Sequence, residues 1–327
     1  MHPNYAAGLT GALFGAGLTI SEVADPSVIL NQLQFTDFHM LLTFLSASAC
    51  STPIFAFANY SEYAVIPPKP SNSYNWFGAF DGNIMGGLLL GLGMGLTGAC
   101  PGTVLVQAAT NIPGSRFLLT GGLVGGVIFA KWSQSYGPSR VESRADQPCK
   151  MTQSKKRAVP ATMLAYEVVV IGAILALSTL APRKRHFFHP VLGGVLIGLA
   201  QAASVLVARK PLGVSTAYED AGRIFWGLFD ARSFPGLQNL IFISSVFGAA
   251  SVIGPRLPQG MDKYSTDNVI SPLASLIGGI TLVLGARLAG GCTTGHGISG
   301  LSTLGASSFV TICTIFGGGL VTKYLLS

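Results

Sequence analysis

At 327 residues, with 49% hydrophobic and only 10% charged side chains and a mean hydropathy of +0.53, the chain is too apolar for a soluble domain, in which roughly a quarter of residues are charged. Its formal charge of +7 does not read as nucleic-acid affinity, because the basic residues gather in polar connections, where they set membrane topology. Cys50, Cys100, Cys149, Cys292 and Cys313 are scattered, odd in number and without a C-x-x-C pair, which excludes a disulfide framework and a zinc finger.

The chain starts almost directly on an apolar segment. It lacks the basic start and small-residue cleavage site of a secretory signal, so the first segment is expected to be a retained span. Stretches long enough to cross a bilayer lie near 5–22, 38–58, 82–98, 115–132, 160–181, 190–207, 235–253, 270–289 and 305–325, about nine spans. A polar connection at 133–158 carries Arg140, Arg144, Lys150, Lys155, Lys156 and Arg157 and reads as a flexible loop. It separates a first transmembrane repeat, 1–132, from a linking span, 159–182, and a second repeat, 183–327. Alternating sides put Lys69, Lys131, the 140–157 cluster, Arg209, Lys210, Arg223 and Arg232 with the N-terminus. Arg116, Arg183, Lys184, Arg185, Arg256, Lys263 and Lys323 fall on the other side. The positive-inside rule then places the N-terminus in the cytoplasm and the C-terminus outside, and the expected location is the cell membrane.

One glycine pattern occurs in both halves. Gly86-Gly87, Gly93 and Gly98 precede Cys100-Pro101-Gly102, and Gly278-Gly279, Gly285 and Gly290 precede Cys292-Thr293-Thr294-Gly295, at matching distances from the cysteine. Four spans per half with one linking span invert the second unit, so the expected fold is an all-α polytopic membrane protein of two inverted repeats, with broken half-helices meeting at the midplane. The paired glycines suit close helix packing. At the cysteines the spans break. Pro101 cannot continue a helix but suits the first turn of a short one, roughly Gly102 to Ala109. Gly290 to Gly297 is too glycine-rich for a lipid-exposed helix, and Ser299 is placed to cap a short helix behind it. Non-helical backbone at membrane depth must be buried or line a cavity, so both cysteines are expected in an internal site.

Free N–H groups and dipoles at half-helix ends attract a small anion, and a thiol suits a soft, sulfur-bearing one. The expected substrate contacts are Cys100, Cys292, Gly98, Pro101, Gly102, Gly291, Thr293, Thr294, Gly295 and His296. Arg287 supports them, since an intramembrane Arg is a functional candidate by default. Cys50 and Cys313 read as small packing residues and Cys149 as a loop thiol. Two other classes compete. A soft-metal transporter would use Cys292 and His296 at i, i+4, although Gly295 and Gly297 oppose a regular helix there. A membrane sulfurtransferase would form a persulfide on Cys100 or Cys292, but no arrangement of base and orienting group accompanies either. Neither a resident cofactor nor a nucleotide-binding motif is evident.

The runs Gly95-Leu96-Thr97-Gly98-Ala99-Cys100-Pro101-Gly102 and Gly285-Ala286-Arg287-Leu288-Ala289-Gly290-Gly291-Cys292-Thr293-Thr294-Gly295-His296-Gly297-Ile298-Ser299-Gly300 closely resemble the two signatures of the YeeE/YedE sulphur-transport family. Weaker likeness reaches Gly11 to Gly15, Ala24-Asp25-Pro26 and Pro211 to Thr216, and so nearly the whole chain. The resemblance implies an hourglass-shaped helical membrane protein that takes up thiosulfate, with Cys100 and Cys292 touching the ion through thiol–sulfur hydrogen bonds. Thiosulfate-uptake members carry a further cysteine early in the first repeat; this chain has none before Cys50, and Ser21 stands nearest that position. Other members are linked to selenium compounds, so the implied cargo is thiosulfate or a related anion. A cytoplasmic sulfur-accepting protein is left open as a partner.

Overall fold

Proline and short polar side chains set where the helices begin. Pro3, Pro26, Pro190 and Pro272 each open a helix, where the missing N–H has no intrahelical partner to lose. The Asp25 carboxylate accepts from Ser27 N at 2.8 Å and the Ser271 hydroxyl from Ala274 N at 3.2 Å, satisfying N-terminal amides. The computed structural model describes residues 2–136, 153–182, 184, 186–230, 235–257 and 271–325, and these are helical, with no strand. Of the expected basic connection, 137–152 lies outside the described residues, as do Arg183, Arg185, Arg232 and Lys263.

Each apolar stretch forms a helix: α1 (Pro3–Ile20), α3 (His39–Tyr60), α4 (Asp81–Thr97), α6 (Ser115–Ser135), α7 (Gln153–Leu180), α8 (Pro190–Ala203, prolonged by a π turn, Ser204–Ala208), α10 (Gln238–Ile253), α11 (Pro272–Leu288) and α12 (Ala306–Leu325). α2 (Pro26–Leu33), α5 (Thr103–Ala109), α9 (Ser215–Asp230) and a π-helical turn, Thr294–Gly300, lie between them. Among the described residues, five segments are both long and apolar enough to cross a membrane: His39–Tyr60, Ala161–Leu180, Pro190–Ala208, Gln238–Arg256 and Ala306–Leu325. α4 and α11 have only 17 residues each.

α4 and α11 pack against each other, antiparallel, at the centre. A Cβ on Gly86 would stand 2.3 Å from Ala289 N, and one on Gly285 would stand 2.3 Å from Leu90 N. Backbone meets backbone, the close approach that small residues allow between membrane helices. Around this seam, contacts come in exchanged pairs: α12 lies on α4 as α6 lies on α11, and α10 lies on α1 as α3 lies on α8. Gly11 and Gly15 abut Phe242 and Val246, while Gly194 and Gly198 abut Ser46 and Cys50. α5 leans on α10 and α6, and the Thr294–Gly300 turn leans on α3 and α12. α7 packs on α3 with no counterpart in the first half. Buried hydrogen bonds tie the halves together: Asn83 Nδ2 donates to Ala289 O (3.1 Å) and Thr311 Oγ1 (2.9 Å), and the Ser48 and Ser302 hydroxyls pair at 2.9 Å.

Candidate functional site

α4 and α11 stop on glycines in the left-handed region, Gly98 (φ 59°) and Gly290 (φ 79°), each two residues before a cysteine. L side chains rarely adopt this conformation. A Cβ on Gly98 would also come within 2.7 Å of Pro26 O, and one on Gly290 within 2.7 Å of Asn72 Nδ2. The chain then turns into the interior, where Cys100 is 1% and Cys292 0% exposed.

The first break is well satisfied. Gln107 Nε2 donates to Ala24 O (3.0 Å) and Gly98 O (3.1 Å), Cys100 N donates to the Thr103 hydroxyl (2.8 Å), and the Tyr218 hydroxyl donates to Pro101 O (2.8 Å). The Thr103 hydroxyl also lies 3.5 Å from the Cys100 sulfur. Gly102 faces the other half: a Cβ there would stand 3.6 Å from Thr294 Oγ1 and 3.6 Å from a Val214 methyl. The Thr293 hydroxyl faces the Cys100 thiol. The two breaks thus meet, and the structure brings Cys100, Gly102, Cys292, Thr293 and Thr294 to one place. The Thr293 and Thr294 hydroxyls are buried without an oxygen or nitrogen partner.

Past Cys292 the backbone re-enters a helix at once, in π form, a geometry that favours functional sites. Ser299 therefore does not cap a later helix. It lies within the π turn, and its hydroxyl donates to Gln201 Oε1 (3.1 Å) and Leu212 O (3.2 Å). The expectation of a non-helical Gly290–Gly297 run is likewise corrected for 294–297. Neighbouring segments fill the space that these glycines leave: a Cβ on Gly300 would strike Ser308 Oγ, and one on Gly291 or Gly295 would strike Lys69 Nζ.

Lys69 comes from the connection before α4 and was not singled out as a site residue from sequence. Its ammonium donates to Gly290 O at 3.2 Å, and among the described residues no carboxylate pairs with it. Ser307 Oγ holds its carbonyl at 2.7 Å. A single lysine among prolines gives no pattern that would mark it; only the packing against Gly291 and Gly295 does.

Three expected residues are engaged by the protein itself. His296 Nδ1 meets Ser308 Oγ at 3.0 Å and Nε2 meets Ala289 O at 3.1 Å, which leaves no free ring nitrogen for a metal shared with Cys292. Arg287 forms an ion pair with Glu219 of α9, a carboxylate that also pairs with Arg223, and lies over the Phe129 ring, so its charge already has a protein partner. Ser21 closes α1, with its hydroxyl on Leu18 O (3.2 Å) and its carbonyl accepting from His39 Nε2 (2.7 Å). Cys50 is half-buried against Gly198, Cys313 is exposed, and Cys149 lies outside the described residues.

A cavity of about 540 Å³ opens beside the start of α1, between α10 and the π end of α8. Thr10, Ser204, Arg209, Lys210 and Asn239 line it, and it reaches Leu212 and Gly213. The Leu212 carbonyl is the one bonded by Ser299, so this basic vestibule adjoins the π turn.

A sequence model of the sulphur-transport family matches residues 20–321, a span that contains both breaks. The chain belongs to that family. The thiosulfate transporter TsuA of Spirochaeta thermophila is 24% identical over 339 residues, which cover 97% of each chain. A probable transporter of Xylella fastidiosa is 29% identical over 136 residues, 42% of this chain and 92% of the relative. Family membership and the five long apolar helices together make this an integral membrane protein of the sulphur-transport family, a transporter and not an enzyme.

Proposed function

We propose that the chain carries thiosulfate, or a closely related sulfur-containing anion, through the point where the two breaks meet. The observation that carries this reading is the pair of buried hydroxyls of Thr293 and Thr294, without an oxygen or nitrogen partner, beside two buried thiols. An unsatisfied buried hydroxyl costs about 1–3 kcal/mol, which anion oxygens passing this point would offset. Lys69 supplies positive charge. α5 has seven residues and is too short for its dipole to do the same, so the cation replaces the expected half-helix field.

In this reading Cys100, Cys292, Thr293, Thr294 and Lys69 contact the anion. Gly102 leaves it room, Gly291 and Gly295 admit the Lys69 ammonium, Gly98 and Pro101 shape the break, and His296, Arg287 and Ser21 brace the surroundings. The exchanged packing pairs and the two left-handed glycines support a two-fold relation between halves, as does a relative that 42% of this chain nearly covers. The start of α1 shares an end of the molecule with Arg209 and Lys210, whereas Thr322 near the end of α12 packs on Gly95 at the other end. Opposite termini agree with an odd number of spans and inverted repeats, and the positive-inside rule puts the α1 start in the cytoplasm.

Labelled-thiosulfate uptake into liposomes tests the reading. Wild type should show saturable uptake, and the Cys100→Ala/Cys292→Ala double variant roughly 10–30-fold less, since each of two weak sulfur contacts contributes on the order of 1 kcal/mol. Cys50→Ala and Cys313→Ala should change little. Full uptake by a correctly inserted double variant would remove the thiols from the path.

A further inference from the structure

At the end of the molecule where α1 finishes and α3 and α8 begin, four ionisable side chains from three segments converge. Glu22 follows α1, Asp37 precedes α3, His39 is the first residue of α3, and His186 lies in the connection before α8. One ligand atom each from Glu22, His39 and His186 lies within 4.8 Å of the other two, and the two imidazole rings are 3.9 Å apart, centroid to centroid.

The far nitrogen of each ring is already held. His186 Nε2 is 2.5 Å from Asp37 Oδ2, and His39 Nε2 is 2.7 Å from Ser21 O. A neutral imidazole that donates from Nε2 keeps its lone pair on Nδ1. His39 Nδ1 is buried with no hydrogen-bond partner on a residue only 1% exposed, and His186 Nδ1 is 3.9 Å from Glu22 Oε2, beyond hydrogen-bond range. The Phe188 N–H orients the Glu22 carboxylate at 3.2 Å, and Glu22 itself has a left-handed backbone (φ 57°), a strained conformation for a residue with a side chain. Imidazoles whose second nitrogen is fixed by a carboxylate or carbonyl are the arrangement of metal-bound histidines.

We propose that Glu22, His39 and His186 form a binding site for a first-row divalent cation such as Zn²⁺, with Asp37 and the Ser21 carbonyl positioning the two rings. Two imidazoles and one carboxylate suit the borderline character of that ion and leave a fourth tetrahedral position for water. Glu22 and His186 are partly exposed, at 13% and 16%, so the ion reaches the site from solvent. Bound there, it joins the end of α1 to the chain entering α8.

Titration of the purified, chelator-treated full chain with zinc chloride, followed by calorimetry and thermal shift, decides the matter. Wild type should bind one ion and melt at a higher temperature when loaded. Glu22→Gln, which keeps the side-chain shape, and His186→Ala should abolish saturable binding. Asp37→Asn should weaken it about 10–100-fold, the usual loss when an outer partner of a metal-bound histidine is removed. The Cys100→Ala/Cys292→Ala variant should bind as wild type does. No saturable binding by wild type, or binding that survives Glu22→Gln and His186→Ala but disappears with the two thiols, overturns the assignment.

Discussion

The break at Cys100 is tied by Gln107, Thr103 and Tyr218, which satisfy the surrounding carbonyls and the Cys100 amide. The break at Cys292 starts from the same left-handed glycine two residues upstream, yet it opens into a π turn, leaves the Thr293 and Thr294 hydroxyls without an oxygen or nitrogen partner and admits the Lys69 ammonium. The two breaks share a backbone device and differ in chemistry. The first is braced by its own side chains; in the proposed reading the second presents donors to the meeting point. A glycine spacing can report the shared device only, because hydroxyl satisfaction depends on partners brought by the fold.

The largest effect expected from this difference is at Lys69. A hydrogen bond to a charged group contributes about 1.5–3 kcal/mol, so Lys69→Met should reduce thiosulfate uptake roughly 10–100-fold at low substrate concentration. Uptake kinetics unchanged by that substitution would mean that the second break does not hold the positive charge.

Next come two threonines that look alike in sequence. Thr294→Val removes a donor that has no protein partner, so KM should rise several-fold while thermal stability holds or improves, since an unpaired buried hydroxyl costs about 1–3 kcal/mol. Thr103→Val strips the Cys100 amide of its acceptor, and here stability should fall by about 1–2 kcal/mol with little change in KM. Parallel melting and uptake curves for the two variants check this, and equal behaviour would erase the distinction between the breaks.

The smallest effect concerns selectivity. Sulfate and thiosulfate share charge and overall shape and differ in one terminal sulfur, so the thiol should carry the discrimination. Cys292→Ser keeps a donor of similar size but loses the soft contact, worth on the order of 1 kcal/mol. Competition by excess sulfate should rise several-fold; discrimination identical to wild type would assign selectivity to the backbone cage.

Much of this architecture was legible because membrane helices announce themselves by length and apolarity: every expected stretch coincides with a helix, and both cysteine breaks fall where Pro101 and the glycine run require them. α9 was missed. Glu219, Asp220 and Arg223 interrupt its apolar run, and hydropathy cannot distinguish a helix that buries two carboxylates from a polar loop. Its periodicity, with Tyr218, Ala221 and Phe225 on one side, was the available signal. Arg287 read as a functional candidate supporting the site because its partner Glu219 lies on that unrecognised helix. Likewise Lys69 reaches Gly290 from 221 positions away in sequence, and nothing local in its proline-flanked setting foretells that approach.

The direct backbone contact between α4 and α11 also bears on how access can alternate. Gly86 and Gly285 leave no side chains at that crossing to change rotamer, so a rocking motion of one half over the other would have to pull main chains apart and give up their close packing all at once. The crossing behaves as a keel. On the proposed path, gating would then fall to the thin elements fastened beside the keel, the π turn after Cys292 and the strap that carries Lys69.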